Sequence, residues 1–164
     1  MFFRIKKIKG KEYAYVVENE WRRKGSRQRV KGYLGRVYRF NFKNNVDFLL
    51  FIKNKNLEEY MNNNDNKKII NDLVEWELHN HNISKEEFLI DLNNAKIQKN
   101  KKNVALLIND GFMCSLTLKN LLEFKPEDEQ TDGYRLARAF VEAGIKVPQE
   151  VFVGIFSKLY KENG

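Results

Sequence analysis

The stretch EYAYVVENEWRRKGSRQRVKGYLGRVYRF, residues 12–40, alternates ring and branched aliphatic side chains with polar ones on both sides of Lys24-Gly25, the pattern of two strands joined by a hairpin turn. Upstream, FFRIKKIK (residues 2–9) repeats the alternation and is separated from it by Gly10-Lys11, so residues 2–42 read as strand, turn, strand, turn, strand. In the second run Tyr13, Tyr15, Val17, Asn19 and Trp21 fall on one face, with Glu12, Ala14, Val16 and Glu18 on the other. In the third, unbroken alternation puts Arg27, Arg29, Lys31 and Tyr33 on a common face, opposite Gln28, Val30, Gly32 and Leu34. The spacing Ile5-Lys6-Lys7-Ile8 breaks the period of two and predicts a bulge in the first strand. Gly32 and Gly35 mark where the third strand bends or admits another backbone.

Charge is distributed unevenly around this segment. Of a net +8 over 164 residues, residues 1–43 carry 14 Lys or Arg against 3 Glu, a net of +11, which leaves 16 cations against 19 acids, a net of −3, for residues 44–164. The same 43 residues hold 9 of the 21 aromatics, so the excess charge belongs to a folded surface and not to a ring-poor solubilising tail. The chain therefore divides into a basic, aromatic meander, 1–43, and an α+β body, 44–164.

The body opens on NKNLEEYMNNNDNKK, whose Asn and Lys content reads as a loop over residues 53–68. Ile69, Ile70, Leu73, Val74 and Leu78 lie at helical spacing. EEFLIDLNNAKIQ and NVALLIND read as two strands around the polar turn KNKKN. A short helix carrying Leu118, Leu121 and Leu122 follows, capped by Ser115 or Thr117 and ended by Pro126. Leu136, Ala137, Phe140, Val141 and Gly144 mark a helix face, and Val151, Phe152, Ile155, Phe156 and Leu159 another begun by Pro148, so the chain closes on a helical hairpin. The expected fold is α+β: an N-terminal three-stranded antiparallel meander, a mixed middle with a second hairpin, and the C-terminal helical hairpin.

Other function classes find little support. The single cysteine, Cys114, excludes a disulfide framework and CxxC metal spacing, and without a nearby histidine it reads as a small apolar residue. MFFRIKKIK has no continuous apolar core and does not read as a signal peptide, and VDFLLFI is far short of a membrane span, so a soluble cytoplasmic protein with no membrane partner is expected. No GxxxxGKS or GxGxxG run suggests a nucleotide cofactor, and none is expected. His79 and His81 diverge by about 200° on a helix and do not share a metal, so no metal site is assigned. Gly144 in GIKVP invites a helix-turn-helix reading, but bulky Phe140 and the acidic, apolar second helix fit a plain hairpin. A metal-dependent nuclease, or a degenerate version of one, requires Glu75, Asp91 and Asp110 to converge. The third alternative is a protein-interaction module or homodimer through the C-terminal helices.

The run KGKEYAYVVENEWRRKGSRQRVKGYLGRV resembles the β-hairpin segment that opens many DDE-type insertion-sequence transposases, through Tyr13, Val17, Glu18, Arg22, Gly25, Arg27, Gln28, Leu34 and Gly35. The resemblance covers about a quarter of the chain and implies contact with a DNA end or another nucleic-acid backbone, not catalysis. The stretches WELHNH, NDGFMCSLTL and EAGIKVPQEVFV are also similar to small archaeal-type proteins of unassigned function.

The combined expectation is a non-catalytic nucleic-acid-binding protein, with RNA favoured over DNA on sheet-surface grounds. Arg4, Lys6, Arg22, Arg23, Arg27, Arg29, Lys31, Arg36 and Arg39 are the expected phosphate contacts, with Trp21, Tyr33 and Tyr38 as stacking rings.

Overall fold

The structure, a computed structural model, describes residues 2–161. Strands β1 (Phe2–Ile8), β2 (Lys11–Arg22) and β3 (Gly25–Arg39) form the expected antiparallel meander. Lys9 and Gly10 both take positive φ between β1 and β2, the conformation whose twist matches that of a two-residue hairpin. The β1–β2 register runs unbroken from Phe2 opposite Val17 to Ile8 opposite Lys11, so the bulge expected in β1 is absent. Lys6 instead sits opposite Tyr13 and Lys7 opposite Glu12, each cation meeting a favourable neighbour on its own face.

The irregularities fall in β3. Ala14 pairs with Gly35 but Tyr15 with Tyr33, and Val16 pairs with Gly32 but Val17 with Val30, which leaves Leu34 and Lys31 as extra residues. Each extra residue resets the alternation. Arg27 and Arg29 consequently stand opposite Glu20 and Glu18, while Tyr33 stands opposite Tyr15 on the other side of the sheet. The common face expected for Arg27, Arg29, Lys31 and Tyr33 is therefore split in two.

The meander is joined to the body by β3, which pairs in parallel with β6 (Lys102–Ile108) from Arg36 opposite Val104 to Arg39 opposite Leu107. The seven strands run in the order β1-β2-β3-β6-β5-β4, with β7 (Gly111–Met113) returning against β6. EEFLIDLNNAKIQ, expected as one strand, folds as the hairpin β4 (Leu89–Asp91) and β5 (Lys96–Lys99), because Ala95 adopts positive φ and turns the chain back. Asn109 and Asp110, both at positive φ, turn the chain from β6 into β7 ahead of the next helix.

The crossover from β3 to β4 carries helices α1 (Phe48–Phe51), α2 (Leu57–Asn63) and α3 (Asn66–Asn80). Residues 53–68 are thus largely helical and not a loop. Their polar residues are the caps: Asn56 accepts from the Glu59 N–H at 3.1 Å, and Asp65 from the Lys68 N–H at 2.8 Å. Tyr60 and Met61 are buried between these caps, and Lys158 donates to the carbonyls of Met61 and Asn64.

One large core lies on the helical side of the sheet. Ile69, Leu73, Val74 and Leu78 of α3 pack with Ile97, Leu106 and Ile108 of β5 and β6, and with residues of α4 (Ser115–Leu122), α5 (Glu129–Glu142) and α6 (Gln149–Lys161). Leu118, Leu121, Leu136, Phe140, Val151 and Ile155 are the helical contributions, each fully buried aliphatic or ring adding about 1.5–3 kcal/mol. Val141, expected on the inward face of α5, is exposed, and Ala139 is buried in its stead. A smaller core of Ala14, Val16, Leu34, Val37, Ala105, Phe112 and Cys114 closes the other side of the sheet. The buried Glu77 carboxylate accepts from Asn109 Nδ2 and from the Lys146 N–H, both at 2.9 Å, and ties α3 to the β6–β7 turn and the α5–α6 connection.

Two outcomes test this packing. A Cβ on Gly35 would lie 2.2 Å from the Asn103 carbonyl oxygen, at a residue with φ of +123°, whereas a Cβ on Gly32 meets nothing within 4 Å. In urea denaturation, Gly35→Ala is expected to cost about 2 kcal/mol or more and Gly32→Ala less than about 1. Burial raises the Glu77 pKa above the ordinary carboxylate value. A raised folded-state pKa gives a contribution that is complete below the unfolded value and declines as pH rises through the folded one. The stability of the native protein relative to Glu77→Gln should therefore fall as pH rises above the ordinary carboxylate range in a series of urea melts.

Candidate nucleic-acid interface

Residues directly opposite one another in a ladder share a face, so the register divides the meander's side chains into two sets. One face carries Arg4 and Lys6 of β1, Lys11, Tyr13, Tyr15 and Trp21 of β2, and Tyr33, Arg36 and Tyr38 of β3. No Asp or Glu belongs to it. All three acids of the meander, Glu12, Glu18 and Glu20, are on the opposite face.

Three cations of that opposite face form ion pairs with its acids. Arg39 grips Glu12 with Nε and Nη2, each at 2.7 Å, Lys31 reaches Glu18 at 3.0 Å and Arg22 reaches Glu20 at 3.2 Å. The hydrogen bond from Arg39 lowers the Glu12 pKa, and that from Lys31 lowers the Glu18 pKa. Arg27 and Arg29 complete this mixed-charge surface opposite Glu20 and Glu18. These exposed pairs add little stability, but they cancel field.

On the acid-free face the cations lie among rings. Tyr33 has its centroid 5.2 Å from that of Tyr15 and 6.3 Å from that of Tyr13. Lys6 sits over the Tyr15 ring at 4.8 Å, and Arg36 and Lys99 lie over Tyr38 at 4.9 and 5.0 Å. Arg4 donates to Gln28 at 2.6 Å. Burial, with Tyr15 and Tyr13 nearby, raises the Tyr33 pKa and keeps the phenol neutral. Where the meander meets the body, the β5–β6 turn brings Lys99, Asn100, Lys102 and Asn103 against Tyr13, Tyr33, Arg36 and Tyr38, forming a trough of about 560 Å³.

Beyond the trough, residues 18–31 of β2 and β3 extend as an almost wholly exposed two-stranded ribbon. Trp21 stands opposite Ser26 near its tip and is 81% exposed, with Arg23 in the turn. Of the residues singled out by sequence, Arg4, Lys6, Trp21, Tyr33, Arg36 and Tyr38 thus share the acid-free face. Arg22, Arg27, Arg29, Lys31 and Arg39 belong to the acid-bearing one. Sequence reading missed Lys11, Tyr13, Tyr15, Lys99 and Lys102; the basic character of KNKKN was the available signal for the last two.

The rival constellations are placed elsewhere. Glu75 is held by Lys85 at 2.5 Å, Asp91 by Asn94 at 2.8 Å, and Asp110 lies in the β6–β7 turn at positive φ. Among the described residues, no three or more His, Cys, Asp or Glu gather where they could hold a metal ion. His81 is buried with Nδ1 2.8 Å from the Glu77 carbonyl oxygen, whereas His79 is exposed. Cys114 precedes α4 and its N–H donates to Thr117 Oγ1 at 3.1 Å, but burial pushes the thiol pKa up. On the C-terminal helices Tyr134, Val141 and Val153 are exposed. No helix of the described residues is long and apolar enough to cross a membrane.

No family model, curated protein or solved structure matches the chain. Exposure at the ribbon tip is directly measurable. Trp21→Ala is expected to change unfolding free energy by no more than about 0.5 kcal/mol, as for a surface residue without a packing role. Trp76→Phe, which removes the Nε1 donor to the Val46 carbonyl at 2.7 Å, should cost about 1 kcal/mol.

Proposed function

We propose that the protein binds nucleic acid without acting on it chemically, through the acid-free face of its N-terminal meander. The observation that carries this reading is the sorting of charge by face. All three meander acids turn to one side, where cations meet them, and the other side is left with Arg4, Lys6, Lys11 and Arg36 among tyrosines. A surface built only for solubility has no reason to keep rings and unopposed cations together. Cations neutralise phosphates and release counterions, and the rings offer faces on which unpaired bases stack.

RNA is the favoured class, because sheet surfaces bearing rings suit bases that are splayed out of a helix. The projecting ribbon at residues 18–31 supports a second reading, contact with duplex DNA, since a two-stranded ribbon fits a major groove. The transposase-like residues of the same hairpin favour that reading too.

A salt titration tests the proposal. Binding to RNA is expected at low salt, weakening linearly in log–log form as salt rises. Replacing Arg4, Lys6 and Arg36 together by Ala should reduce the slope by about 2, at roughly 0.7 for each single-strand phosphate no longer neutralised. The triple variant Arg27→Ala, Arg29→Ala, Lys31→Ala should reduce it by less. Negligible binding at low salt, or equal reductions for the two variants, would contradict the assignment to this face.

A further inference from the structure

We infer that the trough between the meander and the β5–β6 turn is a subsite for one unpaired nucleotide, with its base on Tyr33 and its phosphate among Arg36, Lys99 and Lys102. The inference rests on the nucleic-acid reading above and names the strand class that the face holds: one presenting a base outside a duplex stack.

Three observations converge on it. Tyr33 is fixed between Tyr13 and Tyr15 yet remains 56% exposed, so a stacking surface exists before any ligand arrives and little side-chain freedom is given up on binding. Four cations, Lys11, Arg36, Lys99 and Lys102, line the same cavity, and no carboxylate does. Two of them, Arg36 and Lys99, are held over the Tyr38 ring, which positions charge without neutralising it. Asn100 and Asn103 add amide groups of the kind that hydrogen-bond base edges and ribose hydroxyls.

The shape of the site agrees with its chemistry. About 560 Å³ falls within the range of small-ligand sites. A duplex keeps its base faces inside its own stack, so the Tyr33 ring can engage a base only when that base is unpaired or flipped out. The backbone geometry at Gly35 supports the floor of the trough. There β3 approaches the Asn103 carbonyl so closely that a Cβ would lie 2.2 Å from its oxygen, and the β5–β6 turn is brought beside the tyrosines.

The test is fluorescence anisotropy at low salt with a labelled oligouridine of about 12 nucleotides and a blunt RNA duplex of the same length. The single strand is expected to bind at least tenfold tighter. Tyr33→Ala should weaken single-strand binding about tenfold and leave duplex binding unchanged, while Tyr33→Phe, which keeps the ring, should bind like the native protein. Tyr33→Ala gives up the ring contacts with Tyr13 and Tyr15 but touches neither core, so a native circular-dichroism spectrum at the assay temperature is expected and assigns the weaker binding to the missing ring rather than to unfolding. An oligothymidine that binds as tightly as oligouridine supports the subsite and removes the preference for RNA. Equal affinity for single strand and duplex, or no effect of Tyr33→Ala on a strand whose binding still depends on Arg4 and Lys6, overturns the subsite and leaves the binding face standing. No binding of either strand overturns both.

Discussion

Strand β3 passes from pairing with β2, from Gly25 to Arg36, to pairing with β6, from Arg36 to Arg39, and the rest of the molecule depends on how it does so. A strand continuing from a free ribbon into a covered sheet must twist, and extra residues at Lys31 and Leu34 supply that change. Gly35 follows the second of them with positive φ, in a position where any side chain would meet the backbone of Asn103. The close approach permits the parallel pairing of β3 with β6, and with it the helical core on one side and the smaller core around Phe112 and Cys114 on the other.

The same irregularities sort the charge. Without them, Arg27, Arg29 and Lys31 would line up with Tyr33. With them, Arg27 and Arg29 face Glu20 and Glu18, Lys31 pairs with Glu18, and Tyr33 stands with Tyr13 and Tyr15. Net positive charge along the segment says only that a basic surface exists, and its distribution over two faces says which side can attract phosphate. On the acid-free face the cations are placed by rings and not by carboxylates, so their charge remains available to a polyanion. Exposed β1 at the sheet edge carries Lys6 and Lys7, which also guards that edge against pairing with another chain.

The meander, its two turns, helix α3 and the C-terminal hairpin were legible because each rests on local periodicity or a glycine, and Ile69, Leu73 and Leu78 are buried where their spacing put them. What escaped was whatever depends on non-local pairing. Counting alternation assumes no extra residue, so the bulges in β3 were invisible and one was expected in β1 instead. The asparagine-rich run looked like a loop because Asn56 and Asp65 favour turns, but the same side chains cap helices when Tyr60 and Met61 have a core to enter. The trough was unreadable for a related reason: Lys99 and Lys102 meet Tyr33 and Arg36 only through the parallel β3–β6 register.

The central claim is that nucleic acid lies on one face of the meander and not the other. The most direct measurement is the backbone amide and side-chain NMR spectrum of the full chain as a single-stranded RNA oligonucleotide is added. Shifts concentrated at Arg4, Lys6, Tyr13, Tyr33, Arg36, Lys99 and Lys102 are the expected result. Shifts concentrated instead at Glu12, Arg27, Arg29 and Arg39, or no shifts at low salt, would contradict the account.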